Sequence, residues 1–295
     1  AALVQFNICH PTGYPLFTLL GRIFTLIPVD NKIYLVNLFA AFISATSIFV
    51  LFYVCEYVIT NLFTFDKLSR LFVNIISASS ALILAFDFTS WNTSNSVEVY
   101  SLHKLFVALL LLVFIKAIND KSSRRDTLWL LFALLLGYSF SNHMTTIFMS
   151  LGCLVYYFAT YRFTKTSFKR ILVMAIPFII GISLYLVLVI RADNAYMSWG
   201  LPDNFERFFR HISGKQFSVW MFSSTDTTVK QFKHFLENYP SQFIYLPLLF
   251  AAAGLFKTFI ANKKFFWFSI LLFLFNIASA INYDIYDIDS YFLLS

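Results

Sequence analysis

Glu98 is the residue of this sequence that is best suited to acid–base chemistry. It follows a polar stretch, residues 91–97, and immediately precedes a long apolar run that begins at Val99. An ionisable side chain at the edge of such a run is costly to place and is commonly functional. A carboxylate there can take the proton of an attacking hydroxyl group. It can equally stabilise the first turn of a helix through the helix dipole, so both interpretations stand.

Two groups of carboxylates could bind a divalent cation, the one cofactor that we consider. Asp87 lies eleven residues before Glu98 and could share a cation with it. Asp284, Asp287 and Asp289 stand within six positions of one another and could form a separate site, and Asp284 and Asp287 are also candidates for substrate binding. Carboxylate oxygens are the ligands that hard cations prefer. The simpler alternatives are that Asp87 is an interfacial residue at a helix end and that the later carboxylates are solvated.

Two polar junctions carry further candidates for substrate binding. His10 and Tyr14 lie where two prolines and a glycine within five residues predict a bent, non-helical backbone. Asn142 and His143 join two apolar runs. We expect these four side chains to contact a ligand. The alternative for each junction is a turn that only connects helices, with Asn142 as a cap.

The composition is that of an integral membrane protein. Of 295 residues, 59% are hydrophobic, 20% are aromatic and 13% are charged, whereas a soluble domain has about 25% charged residues. The net charge of +7 does not indicate a nucleic-acid partner, because in a membrane protein the position of each basic residue matters more than their sum. We therefore expect the lipid bilayer as a partner, and no nucleic acid.

Long apolar runs predict an all-α, polytopic bundle in a single transmembrane domain, residues 1–295. A bilayer core about 30 Å thick requires about 20 apolar residues per helix, which gives seven or eight spans. A shorter run, 16–27, predicts an interfacial helix near the N-terminus. The predicted spans are 33–59, 68–88, 99–118, 127–141, 144–161, 171–190, 243–260 and 265–282.

Basic residues in the connections predict which face is cytoplasmic. The short connections 87–97, 139–143 and 283–295 contain no Lys or Arg. Cytoplasmic loops are enriched in these residues, so the opposite face, with the long loop 191–241, is the outer one. We expect it to be periplasmic, in a bacterial inner membrane, or luminal. The candidate residues all lie on this outer face. The basic residues of the alternate, cytoplasmic loops are Lys67, Arg70, Lys116, Lys121, Arg124, Arg125, Arg162, Lys165, Lys169, Arg170, Lys257, Lys263 and Lys264.

The absence of several catalytic motifs argues against a nucleotide-dependent enzyme and against the usual hydrolases. The sequence contains no Gly-rich phosphate loop, no H-E-x-x-H helix and no G-x-S-x-G elbow. An enzyme of the outer face would therefore need an activated substrate that arrives without nucleotide. A sugar carried on a polyprenyl phosphate meets this requirement, because the lipid lies in the bilayer and its phosphate is the leaving group.

The loop 191–241 supplies candidates for binding such a phosphate. Arg191, Arg207, Arg210 and Lys215 are interleaved with aromatic residues, which favours an amphipathic segment on the membrane surface. Attraction to anionic lipid headgroups accounts for each of these basic residues equally well.

Four motifs in register resemble the family called domain of unknown function 2723, whose eukaryotic relative is the transmembrane protein 260 O-mannosyltransferase. The stretches that carry the resemblance are 10–21, 98–103, 141–146 and 282–287. The resemblance implies a glycosyltransferase of the GT-C superfamily, with the helical bundle of that superfamily. It further implies a polyprenyl-phosphate sugar, such as a mannose derivative, as donor, and Ser or Thr of an exported protein as acceptor.

The same resemblance implies that the sequence is a fragment. The family pattern places acidic residues just upstream of Ala1, so the first membrane helix and the principal catalytic base would precede this chain. Glu98 matches the position at which the superfamily keeps a second carboxylate, for a metal or for the acceptor. His10, Tyr14, Asn142 and His143 match motif positions without an assigned role.

A non-catalytic transporter or flippase of lipid-linked saccharides is the alternative function. Such a protein needs polar residues through the depth of the membrane. Glu56 and His103, the ionisable residues that we identify within the predicted spans, lie near the ends of those spans. This placement favours the enzyme.

Overall fold

The structure is a computed structural model that describes residues 2–63, 69–243 and 245–293. Every regular element in these ranges is helical, and isolated bridges are the only extended pairings there. The all-α prediction is confirmed. Lys67 and the predicted beginning of the second span at 68 lie outside the described residues.

Fifteen α-helices follow one another along the described ranges. Side-chain caps begin several of them: the Asn31 Oδ1 atom, for example, accepts a hydrogen bond from the Tyr34 N–H at 3.0 Å. In chain order the helices are α1 (Ala2–Gln5), α2 (Pro15–Phe24), α3 (Lys32–Asn61), α4 (Arg70–Ala85), α5 (Phe88–Ser94), α6 (Tyr100–Asn119), α7 (Arg124–Phe140), α8 (Thr146–Tyr161), α9 (Lys165–Ile182), α10 (Leu186–Arg191), α11 (Phe205–Ile212), α12 (Thr225–Gln242), α13 (Leu246–Ala261), α14 (Lys263–Ala280) and α15 (Asp289–Phe292), with single 3-10 turns at Ser183–Tyr185 and Lys215–Phe217.

Four helical stretches among the described residues are long and apolar enough to cross a membrane. They are α3, α6, the continuous stretch Lys165–Arg191, and α14. Two bent pairs, α4 with α5 and α12 with α13, raise the number to six if each pair counts as one span. Helices α7 and α8 have 17 and 16 residues, fewer than the about 20 of a full crossing. These helices define a polytopic integral membrane protein.

Helix α6 is the centre of the bundle. Twelve of its 20 residues are buried, which is expected of a helix that is apolar on all sides and surrounded by other helices. Phe114 of α6 packs edge-on against Trp129 of α7 and stacks on Phe268 of α14, with ring centroids 5.6 Å and 5.4 Å apart. The aromatic core therefore ties three helices together on the side away from the polar junctions.

The short helix α2 packs on α3 and α6, next to the predicted outer junctions. Leu16 and Phe17 of α2 are buried in one cluster with Phe39 of α3 and Leu102 of α6. The helix covers Pro15–Phe24, within one residue of the predicted beginning at 16 and three residues short of the predicted end. Its packing fixes the position of the residues that precede it.

Helices α7 and α9 cross at a pair of glycines. A Cβ atom on Gly137 would clash with the Phe178 carbonyl oxygen, and one on Gly181 would lie 2.7 Å from the Leu134 carbonyl oxygen. The Ser141 hydroxyl oxygen lies 3.1 Å from the Gly137 carbonyl oxygen and 3.0 Å from that of Gly181, so its one proton is shared between the two acceptors. This close crossing holds the end of α7, and hence the junction with α8, in place.

The predicted outer loop 191–241 contains two helices. Helix α11 has eight residues, and helix α12 covers Thr225–Gln242, most of the second half of that loop. Phe235 of α12 is buried against Ile277 of α14 and Phe292 of α15. The loop is therefore folded against the bundle, and its basic residues are held in defined positions.

Candidate active site

A cavity of about 910 Å³ lies where the predicted outer junctions meet. We call it the main cavity. Its walls come from five segments that are distant in sequence: the opening motif, the residues before α6, the α7–α8 junction, the segment 199–221 and the segment 279–291. Among its lining residues are His10, Tyr14, Glu98, Tyr100, His143, Thr145, Trp199, Gln216, Phe217, Trp220, Tyr283, Asp287 and Tyr291.

The opening motif reaches the main cavity through an unusual backbone. Gly13 has φ +85° and Tyr14 has φ 45°, and Pro15 then begins α2. Proline suits the first turn of a helix because its missing N–H is not needed there. The left-handed pair turns the Tyr14 side chain to a stacked position 6.0 Å from the His143 ring.

His10 makes one hydrogen bond to the backbone. Its Nδ1 atom lies 2.9 Å from the Pro11 carbonyl oxygen. Because a carbonyl can only accept, Nδ1 carries a proton and donates it to this oxygen. The His10 ring also makes edge-on contacts with Tyr14, Trp199 and Phe217, at centroid distances of 5.2, 6.2 and 5.8 Å.

His143 is joined to a second histidine through a threonine. The Thr145 Oγ1 atom lies 2.6 Å from Nδ1 of His143 and 2.9 Å from Nε2 of His103. Both imidazoles are buried. Burial, and then the charge of His10, lowers the pKa of His143 to about 4, so that this ring is neutral at physiological pH. The threonine hydroxyl has one proton, so it links the tautomers of the two rings.

Two carboxylates face the main cavity. Glu98 is open to it, yet the surrounding protein removes part of its solvent. This desolvation, and then the negative charge of Asp287, raises the pKa of Glu98, while His10 opposes the shift. The Tyr100 hydroxyl lies 3.5 Å from Asp287 Oδ2. The carboxylate of Glu98 is therefore a stronger base than an isolated one.

Five of the predicted site residues meet in the main cavity, and four others lie elsewhere. The cavity residues are His10, Tyr14, Glu98, His143 and Asp287. Asn142 is buried behind the cavity wall, with its Nδ2 atom 3.4 Å from the Val99 carbonyl oxygen.

Arg191, Asp284 and Asp87 have other contacts in the structure. The Arg191 guanidinium lies over the Phe6 ring, 5.1 Å from its centroid. Asp284 forms an ion pair with Lys230 at 3.7 Å. Asp87 begins α5, accepting a hydrogen bond from the Ser90 N–H at 2.9 Å. Asp87 is not among the described residues that line the main cavity, so its pairing with Glu98 around a cation stays a prediction. Within residues 2–63, 69–243 and 245–293, no group of three or more His, Cys, Asp or Glu side chains is arranged to hold a metal ion.

The sequence analysis missed two polar residues of this region. Thr145 lies in a recognised motif, but its hydroxyl has no role in the sequence pattern. Lys104, another ionisable residue of the predicted span 99–118, is buried, with its Nζ atom 2.9 Å from the Ser44 and Ser90 hydroxyls and 3.2 Å from the Ser90 carbonyl oxygen. A lysine in the second turn of an apolar helix was the available signal for Lys104.

The fold and the main cavity define a helical, multi-span membrane protein with a carboxylate-bearing cavity at one end of its bundle. The chain belongs to the family described as the Protein O-mannosyl-transferase TMEM260 N-terminal domain, which matches residues 1–167. This match confirms the resemblance inferred from the four motifs.

Two relatives show the extent of the similarity. The Protein O-mannosyl-transferase TMEM260 of Mus musculus is 25% identical over 228 residues, which cover 75% of this chain and 31% of that protein. The Protein O-mannosyl-transferase tmem260 of Dictyostelium discoideum is 25% identical over 272 residues, which cover 85% of this chain and 32% of that protein. The chain thus spans about a third of the length of these relatives. No solved structure matches.

Proposed function

We propose that this chain forms the membrane-embedded catalytic part of an O-mannosyltransferase. It would transfer mannose from a polyprenyl-phosphate donor to the hydroxyl group of Ser or Thr in an exported protein, at the periplasmic or luminal face. The observation that carries the proposal is the meeting of Glu98, Asp287, His10 and His143 in one cavity, in a chain whose relatives bear the name of this activity.

Among the described residues, Glu98 is the one to which we assign the role of base. The acceptor oxygen attacks C1 of the sugar and forms the new C1–O bond, while its proton passes to the Glu98 carboxylate. The bond between C1 and the phosphate oxygen breaks, and the electron pair leaves with the polyprenyl phosphate. The negative charge of Asp287, which raises the pKa of Glu98, favours proton uptake.

The remaining cavity walls suit a sugar. Trp199, Phe217 and Trp220 offer flat apolar surfaces to the C–H face of a sugar ring, and the two cavity histidines offer hydrogen bonds to its hydroxyl groups. His143 is neutral because burial lowers its pKa to about 4, so it can bind a hydroxyl without attracting a competing anion.

The test is sugar transfer by the full-length protein, purified and supplied with polyprenyl-phosphate mannose and Ser- and Thr-containing acceptor peptides. Glu98→Gln is expected to lower kcat by about 100-fold or more, the usual contribution of general-base catalysis. Glu237→Gln is the matched control, since Glu237 pairs with Lys233 on the surface of α12, at 3.7 Å.

Two outcomes would contradict the proposal. The proposed function would be wrong if no polyprenyl-phosphate sugar served as a donor. It would also be wrong if Glu98→Gln were as active as the wild type. Movement of the donor across a liposome bilayer without sugar transfer would identify the protein instead as a transporter of lipid-linked saccharides.

A further inference from the structure

A second, smaller cavity lies directly beside the main cavity. It has a volume of about 240 Å³ and is lined by Arg207, Arg210, His211 and Lys215. We call it the basic pocket. Pro11 and Gln216 line both cavities, so a ligand can occupy the two at once across these residues. The volume is several times the share of one water molecule in the liquid, about 30 Å³, and thus accommodates a polyatomic anion.

The charges around the basic pocket leave one positive charge in excess. Arg207 is held by Asp203 through two hydrogen bonds, at 3.0 and 2.9 Å, and Arg210 lies 3.9 Å from Glu206. Lys215 forms no ion pair within the described part of the chain. Three positive charges thus face two negative ones. The anionic phosphate group of a lipid would offset this excess.

His211 supplies the second observation that points to a ligand. Its side chain is only 3% exposed, and neither ring nitrogen has a hydrogen-bond partner among the described residues. The ring lies between two glycines with positive φ: a Cβ on Gly13 would come within 2.9 Å of Nε2, and one on Gly200 within 3.2 Å of Nδ1. A buried imidazole with unused nitrogens is unusual. His211 lines the basic pocket, so this unpaired polar side chain lies at the pocket wall.

The surface next to the basic pocket is apolar. Phe205 and Phe209 stand on one face of α11, with ring centroids 4.5 Å apart, and they are 79% and 47% exposed. Such residues beside basic ones favour the interface of a membrane. The phosphate of a lipid therefore suits this location better than a free phosphate ion.

We propose that the basic pocket binds the phosphodiester of a lipid-linked sugar, while the sugar enters the main cavity past Pro11 and Gln216. The lipid chain would run over Phe205 and Phe209. This assignment rests on the proposed function for the sugar, but phosphate binding does not. Of the basic residues considered from the sequence, the assignment retains Arg207, Arg210 and Lys215. It excludes Arg191, which binds the Phe6 carbonyl oxygen at 3.3 Å.

The test measures binding of polyprenyl monophosphate, which has no sugar, to the full-length protein by native mass spectrometry in detergent. The double variant Arg210→Gln/Lys215→Gln is expected to bind at least about tenfold more weakly, since it removes two charge-assisted contacts. Both residues are exposed, so their removal leaves the fold intact. Lys121→Gln/Arg124→Gln, which removes two exposed basic residues between α6 and α7, is the matched control and should bind as the wild type does.

Two further ligands separate the sources of the phosphate. Polyprenol, without phosphate, should bind weakly to the wild type and to both double variants. Phosphatidylglycerol should bind equally to all three proteins, and a tenfold loss of its binding in Arg210→Gln/Lys215→Gln would assign the pocket to membrane headgroups and overturn the proposal.

The outcomes for the pocket and for the enzyme are distinguishable. Equal binding of polyprenyl monophosphate by the wild type and Arg210→Gln/Lys215→Gln would overturn the pocket assignment, even if sugar transfer is observed. Loss of binding in this variant would support the pocket, even if no sugar transfer is found, and only the transferase proposal would then fail.

Discussion

The Thr145 hydroxyl oxygen lies 2.6 Å from Nδ1 of His143. The same oxygen is 2.9 Å from Nε2 of His103, whose Nδ1 atom is buried without a partner among the described residues. Three side chains thus form one chain of hydrogen bonds that runs from the wall of the main cavity into α6. Because the threonine hydroxyl has one proton, the tautomers of His143 and His103 are coupled through it.

Thr145 is therefore expected to be a positioning residue. Thr145→Val, which keeps the shape but removes the hydroxyl, should lower kcat by about 10–100-fold, the range seen when a residue that orients a functional histidine is lost. Thr145→Ser should restore most of the activity. Steady-state kinetics with Thr46→Val as the control tests this, because Thr46 lies on α3 and its hydroxyl donates to the backbone carbonyl oxygen of Phe42 in the same helix. Equal loss in the Val and Ser variants would indicate a packing role instead.

The activity should depend on pH through Glu98. A general base works only when deprotonated, so activity is expected to fall as the pH drops through the pKa of Glu98, which lies above its ordinary value. Asp287→Asn removes the negative charge that contributes to this shift. The acid limb of the pH–kcat profile should then move to lower pH.

The control for this experiment is Asp226→Asn, in the first turn of α12. The position of its acid limb should match that of the wild type. A limb that stays in place in Asp287→Asn, or that moves to higher pH, would contradict the electrostatic coupling of the two cavity carboxylates.

Gly13 should tolerate no side chain. Its φ is +85°, and an added Cβ would meet Leu188 Cδ1 at 2.8 Å and His211 Nε2 at 2.9 Å. Gly13→Ala is expected to destabilise the protein by about 1–3 kcal/mol, through backbone strain and overpacking. Gly254→Ala is the matched control, because its Cβ would meet no atom within 4 Å and alanine favours a helix interior. Thermal unfolding in detergent should show a lower Tm for the first variant and an equal or higher Tm for the second.

Lys104 should contribute to stability through its polar partners. Its Nζ atom donates to the Ser44 and Ser90 hydroxyls, both at 2.9 Å, and Asp87 attracts its charge. Lys104→Met would leave these groups buried without their donor, which is expected to cost about 1–3 kcal/mol. Lys121→Met, at an exposed position before α7, should have no effect on Tm. A Lys104→Met variant as stable as the wild type would show that the partners rearrange or are hydrated.

The sequence placed the candidate residues on one face but did not indicate their individual contacts. Alternating basic loops predicted this shared face for His10, Glu98, His143 and Asp287, and these four residues line one cavity in the structure. A loop sequence does not state which way its side chains point. Asp87 and Asp284 share that face, but their side chains have other partners. Asp87 accepts a hydrogen bond at the beginning of a helix, and Asp284 forms an ion pair with Lys230.

The segment 191–241 shows the same limit for the fold. Its interleaved basic and aromatic residues predicted a surface segment, and α11 carries this pattern. Helix α12 lies in the same region, and its Phe235 side chain packs against apolar residues of α14 and α15. Tertiary packing of this kind cannot be recognised from the periodicity of a polar sequence. The number of membrane crossings and the identities of sugar and acceptor stay predictions.

The polarity of the main cavity has a consequence for selectivity among sugars. Glu98 and Asp287 face the cavity, and none of the described residues that line it is Lys or Arg. A sugar acid would bring a further negative charge to these carboxylates and would be repelled, whereas a neutral hexose would not. The basic side chains line the adjoining basic pocket instead. The anionic phosphate of a ligand would therefore bind in the basic pocket, and its neutral sugar in the main cavity. We expect uronic acid derivatives of the donor lipid to be rejected even where their size fits.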